Sequence, residues 1–307
     1  MNSALTACSD DYMIRPVSEA LGAEVIGLDV SKPLDAGILQ VIQQAFLDHH
    51  LLVFRDQVLS GEEQVAFSKQ FGALEAFPEA DKTKGAIEIY NVANVSPEGE
   101  QFDINDHRAI YQKVNARFHT DSSYRSIPSL ASIMYGIEVL PEQAEGGETE
   151  FSNMFKAYEA LSKTMKAHLE PLHMVHYYEF GRRLYPELPP VPIEERRMVP
   201  PVTHPLIRVH PDRDNRRSLF VTTNAGNEIG GMTLEEGQAL HGELAEHVAR
   251  PEFCHRHRWK VGDLVMWDNR CLLHRAIAYD MAKHRRVLRR TTVGGSGPVI
   301  GPFAAPL

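Results

Sequence analysis

The sequence predicts a mainly β fold with peripheral helices, the strands closing into a double-stranded β-helix, or jelly roll. Three observations carry this. Short runs of branched and aromatic residues recur along the chain, long connections separate them, and the helical stretches do not alternate with strands as a doubly wound sheet requires. The 307 residues, 43% hydrophobic and 24% charged, show no internal repeat, low-complexity tract or Gly/Ser linker, so a single domain over 1–307 with insertions is the simplest organisation. A chain this long buries about three quarters of its unfolded surface, so a metal in it is expected to serve function and not folding.

In chain order, residues 23–30 read as a strand. Ile38, Val41, Ile42, Ala45 and Phe46 then recur at helical spacing, and Leu51, Leu52, Val53 and Phe54 form a short buried strand. Ser60-Gly61-Glu62-Glu63 is a capping box opening a helix that carries Val65, Phe67 and Phe71 and stops at Gly72. Further helix is predicted over 155–169 and over 233–248, the latter opened by a second capping box, Thr233 with Glu236. Residues 206–209 and 218–221 flank the turn-forming run 211–215 and read as an antiparallel hairpin. Strands follow at 264–267 and 286–293.

Lys and Arg number 32 against 41 Asp and Glu, a formal charge of −9, which disfavours nucleic acid and acidic membranes as partners. The three cysteines, Cys8, Cys254 and Cys271, are odd in number without paired metal spacing, so a reducing, cytoplasmic compartment is expected. Residues 1–15 carry Asp10 and Asp11 and do not read as a signal peptide, and no run approaches the ~18 apolar residues of a membrane span. A homo-oligomer stays open.

Fifteen histidines make any single one uninformative, so a constellation is needed. In His119-Thr120-Asp121, residues two apart on an extended segment turn an imidazole and a carboxylate to one side. Two His and one carboxylate suit iron(II) and leave coordination positions open. A second copy, His210-Pro211-Asp212, falls at the hairpin tip among Arg213, Arg216 and Arg217, where Asp212 is expected to make a turn and pair with an arginine. The first copy borders core strand, with no turn to explain Asp121. His274, following the polar turn that ends the 264–267 strand, offers a third ligand. Sixteen positions later, Arg290 shares a strand face with Leu288 and Arg286, while Arg285, Val287 and Arg289 share the other. A guanidinium turned inward there calls for the carboxylate of a diacid co-substrate.

The order His119-x-Asp121, His274, Arg290 resembles that of the iron(II)/2-oxoglutarate dioxygenases of the taurine dioxygenase and 2,4-dichlorophenoxyacetate dioxygenase (TauD/TfdA) family. The resemblance spans nearly the whole chain. It is strongest at Phe118-His119-Thr120-Asp121-Ser122-Ser123-Tyr124, at Gly146-Gly147-Glu148-Thr149-Glu150-Phe151, and from Arg256 through Arg270, the last two segments looking closest to the phenoxyacetate-cleaving branch. It implies a jelly roll and iron ligation by His119, Asp121 and His274. It implies also that Thr149 and Arg290 hold the distal carboxylate of 2-oxoglutarate, with Arg286 near the metal-bound end. Phe118 stands where the family usually has Trp. The interval from His274 to Arg290 is one residue longer than the family pattern, His284 being the extra residue, and strand face with the following Thr291-Thr292 selects Arg290 over Arg289.

The implied reaction consumes oxygen and 2-oxoglutarate, releases succinate and carbon dioxide, and hydroxylates a small anionic substrate. A carboxylate at position 121 leaves no place for chloride, which favours hydroxylation over halogenation. By resemblance the substrate is an aryloxyalkanoate, cleaved after hydroxylation. Taurine, other alkylsulfonates or alkyl sulfates are the alternative. A non-catalytic, metal-dependent barrel binding a small acid would keep the triad but give no reason for Arg290 with Thr149. A zinc hydrolase is disfavoured by the lack of a His-Glu-x-x-His base. Asn115, His176 and Tyr177 lie where relatives place pocket residues. Arg182, Arg183, Arg196 and Arg197 could collect an anion, although solvated loop charge explains them as well.

Overall fold

The structure, a computed structural model, describes residues 7–8, 12–76 and 88–302, so most of the 1–15 stretch and the side chain of Cys8 lie outside the described residues. The N-terminal part supplies β1 (Ala7–Cys8), β2 (Met13–Pro16), β3 (Ala23–Ile26), α1 (Ala36–His49), β4 (Leu51–Phe54), α2 (Gly61–Lys69), β5 (Tyr90–Ala93) and α3 (His107–Gln112). The middle adds β6 (Ala131–Glu138), β7 (Thr149–Asn153), α4 (Met154–Glu159), α5 (Lys163–Leu169), β8 (His173–His176), α6 (Phe180–Arg183) and α7 (Ile193–Met198). Then come β9 (Val202–Pro205), β10 (Ile207–Val209), β11 (Arg217–Leu219), β12 (Glu228–Ile229), α8 (Leu234–Val248), β13 (Cys254–His257), β14 (Leu264–Asp268), β15 (Leu272–Ala276) and β16 (Val287–Val293).

Eight strands form the main sheet in the order β1-β2-β3-β4-β14-β6-β16-β5, and β13-β7-β15 form a smaller sheet. Every pair in these sheets is antiparallel except β3 with β4. The continuous apolar run of β4 is explained by burial on both faces. Leu52 and Phe54, with Leu264 and Met266 of β14, pack on Ile42 and Phe46 of α1 and Phe67 of α2. Leu51, Val53, Val265 and Trp267 turn the other way, to Phe151 of β7, Leu272 of β15 and Leu288 of β16. The smaller sheet thus shares one core with the main sheet. A third core lies beneath α4 and α8, where Met154, Leu240, Leu244 and Val248 meet Leu206, Ile207 and Leu219.

Both capping boxes are present, at Ser60 with Glu63 and at Thr233 with Glu236, and the hairpin forms as β10–β11 with Ile207 opposite Leu219. Beyond shifts of one or two residues, three boundaries differ from expectation. The first strand stops at Ile26, because Gly27 takes φ +90° and turns the chain away. The helix of 61–72 ends at Lys69, before Phe71 and Gly72. The helix over 155–169 is two, since Asn153 caps α4 and Ser162 caps α5 by accepting the Met165 N–H at 3.1 Å. Among the described residues no helix is long and apolar enough to cross a membrane.

Candidate metal centre and active site

His119 and His274 are paired through the backbone. His119 N donates to His274 O at 3.0 Å and His274 N to His119 O at 2.7 Å, so the segment before the turn at residue 121 extends the smaller sheet beyond β15. The imidazoles consequently face one another with ring centroids 4.2 Å apart. One expectation holds and one changes. His274 follows the turn after β14, as expected, and sits within β15, opposite Phe151 of β7 and against the Trp267 ring at 4.8 Å. Asp121 begins a tight turn, in which Ser122 takes φ +56° and the Arg125 N–H returns to Ser122 O at 2.9 Å. The turn is what swings the carboxylate back over the two rings, a job the sequence reading gave to strand alternation.

One ligand atom from each of His119, Asp121 and His274 lies within 4.8 Å of the others, and all three side chains are buried. His119 Nδ1 is 2.8 Å from the Arg117 carbonyl oxygen, which can only accept, so the proton sits on Nδ1 and Nε2 carries the lone pair. Burial pushes the His119 imidazole below its usual range and the His274 imidazole well below it, keeping both neutral as ligation requires. Burial alone would raise the Asp121 carboxyl. Arg290, His274, His119 and the Ser132 hydroxyl together outweigh it and hold the group well below the carboxylate range. Two neutral nitrogens and an ionised carboxylate, converging in a buried place, fit iron(II).

Arg290 Nη1 donates to Asp121 Oδ1 at 2.7 Å, and its charge neighbours are Asp121, Tyr90, Tyr124 and Glu75. Arg286, just before β16, is buried, with its Nε lacking a hydrogen-bond partner. Burial lowers its pKa to about 10, opposed by Tyr279 and by Glu148, the residue before Thr149. Arg290 thus lies on the metal-binding carboxylate, and Arg286 lies within electrostatic reach of Glu148, the residue before Thr149. Arg289 points away to α2, donating to Gln64 Oε1 at 2.8 Å, so pleat alternation sorts 289 from 290 as expected. His284, expected to be the extra residue, lies in the loop before β16, where its carbonyl accepts from Asn94 Nδ2 at 2.8 Å. A buried guanidinium with an unpaired Nε fits a carboxylate of 2-oxoglutarate.

Thr149 is delivered by Gly146 and Gly147, both at φ near +80°; a Cβ on Gly146 would lie 1.9 Å from the Ala278 carbonyl oxygen. The Thr149 hydroxyl accepts the Trp259 Nε1–H at 3.0 Å.

A cavity of about 120 Å³ opens on two of the triad, His119 and Asp121, and is lined also by Arg290, Asn115, Tyr177 and Arg182, with Tyr90, Tyr111, Tyr124 and Tyr178 as aromatic walls. Asn115 and Tyr177 are therefore pocket residues. His176 is not: β8 alternation turns its ring inward, stacked on Phe220 at 5.4 Å with neither nitrogen hydrogen-bonded. Of the four arginines, Arg182 reaches the cavity, resting on the Tyr111 ring at 5.4 Å, whereas Arg183 pairs with Glu179 and Arg197 with Glu194, and Arg196 lines a separate hollow. A groove of about 740 Å³ shares Tyr90, Tyr111, Tyr178 and Arg182 with the cavity. Sequence reasoning missed the wall tyrosines, of which Tyr90, Tyr111 and Tyr178 lie in no motif, and Ser132 and Asn269, whose contacts depend on cross-strand pairing.

Residues 13–292 match the family model described as "Taurine catabolism dioxygenase TauD, TfdA family". An alpha-ketoglutarate-dependent 2,4-dichlorophenoxyacetate dioxygenase of Cupriavidus pinatubonensis is 34% identical, over 91% of this chain and 96% of its own. An alpha-ketoglutarate-dependent sulfate ester dioxygenase of Pseudomonas putida is 32% identical, over 93% and 90%. The crystal structure of AAD-2 in complex with Mn(II) and N-oxalylglycine superposes with a TM-score of 0.84 at 35% identity, over 94% of this chain and 99% of that one.

Proposed function

The chain belongs to the TauD, TfdA family and is an iron(II)- and 2-oxoglutarate-dependent dioxygenase, and from that premise we propose that it hydroxylates a small aryloxyalkanoate acid and so cleaves its ether bond. The observation that carries this reading is the Asp121–Arg290 pair at the end of a tyrosine-walled cavity: a cation for the substrate's carboxylate beside the metal ligands, and apolar ring faces for its aryl body. His119, Asp121 and His274 hold the iron, which when bound supplies oxygen activation coupled to decarboxylation of 2-oxoglutarate. Arg286 and Thr149 take the distal carboxylate of 2-oxoglutarate. Arg290, on leaving Asp121, takes the carboxylate of the substrate. The tyrosines exclude water and hold the carbon between carboxylate and ether oxygen toward the triad, while the adjoining groove receives the ring substituents. Hydroxylation of that carbon gives a hemiacetal; its C–O bond to the aryl oxygen breaks, the hydroxyl becomes a carbonyl, and the proton goes to the departing phenol.

The fold is read as a single double-stranded β-helix domain, supported by the core that the two sheets share. Free Cys254 and Cys271 support the reducing, cytoplasmic setting expected of the sequence. Succinate and phenol formation should be measured with phenoxyacetates, 2-phenoxypropionates, alkyl sulfates and taurine. The expected result is the highest kcat/KM for a phenoxy acid with one phenol released per succinate. Faster turnover of an alkyl sulfate or taurine would overturn the substrate assignment and leave the dioxygenase intact.

A further inference from the structure

Asp121 is the one ligand of the three whose side chain turns freely unless something stops it, since an imidazole on a paired strand is already held by packing. What stops it, beside the Arg290 bond to Oδ1, is a buried hydrogen-bond network centred on Asn269, the residue after β14. Trp267 Nε1 donates to the Asn269 side-chain carbonyl at 3.1 Å, and an indole N–H can only donate, so that oxygen is Oδ1 and the amide nitrogen faces the opposite way. There Nδ2 donates to Ser132 Oγ at 3.0 Å and to Ser129 Oγ at 3.2 Å. Each serine spends its own proton on Asp121: Ser132 Oγ donates to Oδ2 at 2.6 Å, and Ser129 Oγ to the Asp121 carbonyl at 3.0 Å. On its other side Asn269 anchors the neighbouring residue, its backbone carbonyl accepting from Thr120 Oγ1 at 2.8 Å. Ser129, Ser132, Thr120 and Asn269 are all at most 3% exposed, so water does not compete for these bonds.

We propose that Asn269 is a positioning residue for the metal centre, acting through Ser132 to fix the Asp121 carboxylate. The inference rests on the reading of Asp121 as a metal ligand. The chemistry turns on proton direction. Ser132 has one hydroxyl hydrogen; because Asn269 supplies a donor, that hydrogen is free for Asp121. An aspartate at 269, nearly identical in shape, presents only acceptors and draws the Ser132 and Ser129 protons to itself. Asp121 then loses both hydroxyl bonds. A carboxylate added near a cation site would strengthen binding by charge alone, so the network and simple electrostatics predict opposite signs for Asn269→Asp.

The test is Mn(II) affinity of the full chain, followed by the loss of the free-ion EPR signal, for Asn269→Asp, Ser132→Ala, Ser152→Ala and Asp121→Ala. Ser152 is an equally buried serine whose Oγ donates to Val248 O at 2.6 Å away from the triad, and it controls for general loosening. Ser132→Ala and Asn269→Asp are expected to weaken Mn(II) binding about 10–100-fold, the usual cost of losing an outer-sphere partner, with Ser152→Ala unchanged. Unchanged affinity in Ser132→Ala, tighter binding in Asn269→Asp, or equal weakening in Ser152→Ala would each overturn the proposal. Should Asn269→Asp fail to fold, Ser132→Ala decides alone. Full Mn(II) affinity in Asp121→Ala would instead overturn the ligand assignment beneath it.

Discussion

At His119-Thr120-Asp121 the imidazole and carboxylate converge with His274, and a single guanidinium, that of Arg290, touches the carboxylate. At His210-Pro211-Asp212 the same three-residue pattern comes apart. His210 turns inward to Asp268 Oδ2 at 3.1 Å, and Asp212 turns to Arg270, as the turn reading expected. His210 does join a second cluster, with Asp268 and Cys271, that is as compact and buried as the first. Charge separates them. Asp268 is gripped through both oxygens by Arg270, at 2.8 Å from Nε and 2.7 Å from Nη2, and the cations Arg208, Arg216 and Arg270 all act on Cys271. Burial pushes the Cys271 thiol well above its usual range, so it offers no thiolate. Convergent donors make a cation site only where their charge is not already neutralised; otherwise they make an interior ion network.

The largest expected effect tests that difference directly. Asp121→Ala or His274→Ala should reduce turnover at least about a thousandfold, the several kcal/mol a catalytic metal supplies, and take bound metal from one per chain to none. Thermal unfolding should shift little, because the core of 307 residues folds without the metal. His210→Ala should keep one metal per chain. Loss of metal from His210→Ala would show that the second cluster, not the first, binds it.

Next in size is stability. Asp268→Asn leaves Arg270 buried against a neutral amide, with the half-exposed Asp212 as its remaining acid. Removing one partner of a buried pair costs about 3–5 kcal/mol, readable as a lower urea midpoint, while Mn(II) affinity stays put. An altered Mn(II) affinity would mean that the two clusters communicate.

The sequence disclosed those features whose cause is local. Capping boxes, the two-sided apolar run of β4 and the opposite strand faces of Arg289 and Arg290 all follow from spacing within a few residues, and the structure reproduces them. The centre itself was readable only as a distant trio of residues. What assembles it is not local: the His119–His274 backbone pair joins segments 155 positions apart by number, and the Asn269 network joins three segments through cross-strand register.

Arginine substitutions sharpen the comparison at the first centre. Arg286→Ala should raise the KM for 2-oxoglutarate about 10–100-fold, the loss of one charge-assisted pair, and Arg289→Ala less than about threefold. Arg290→Ala should raise the KM for the phenoxy acid instead. A larger 2-oxoglutarate defect in Arg290→Ala than in Arg286→Ala would restore the assignment that resemblance implied.

The smallest expected effect is a pH dependence housed in the second region. His50 lies behind Asp268, its carbonyl accepting the Asp268 N–H at 2.9 Å and its ring 5.0 Å from Phe155. Burial pushes its pKa down to about 3 from 6.5; Asp268 opposes this, while Arg216, His210 and Arg213 reinforce it. A group whose folded pKa lies below its unfolded one binds a proton in the unfolded chain first. Its contribution is therefore complete above pH 6.5 and drains away as pH falls toward 3, by up to about 1.4 kcal/mol per pH unit. The lowered Asp268 carboxyl acts later, costing stability only below about 4, where an unfolded aspartate takes its proton. His50 caps α1 at φ +65°, a conformation that asparagine tolerates, so His50→Asn removes the titrating ring without breaking the turn. Urea midpoints between pH 6.5 and 4.5 should fall more gently in His50→Asn than in the parent, by about one proton's worth of slope. Parallel curves would place the acid sensitivity elsewhere, with half-buried His255, lowered to about 4, the next residue to replace.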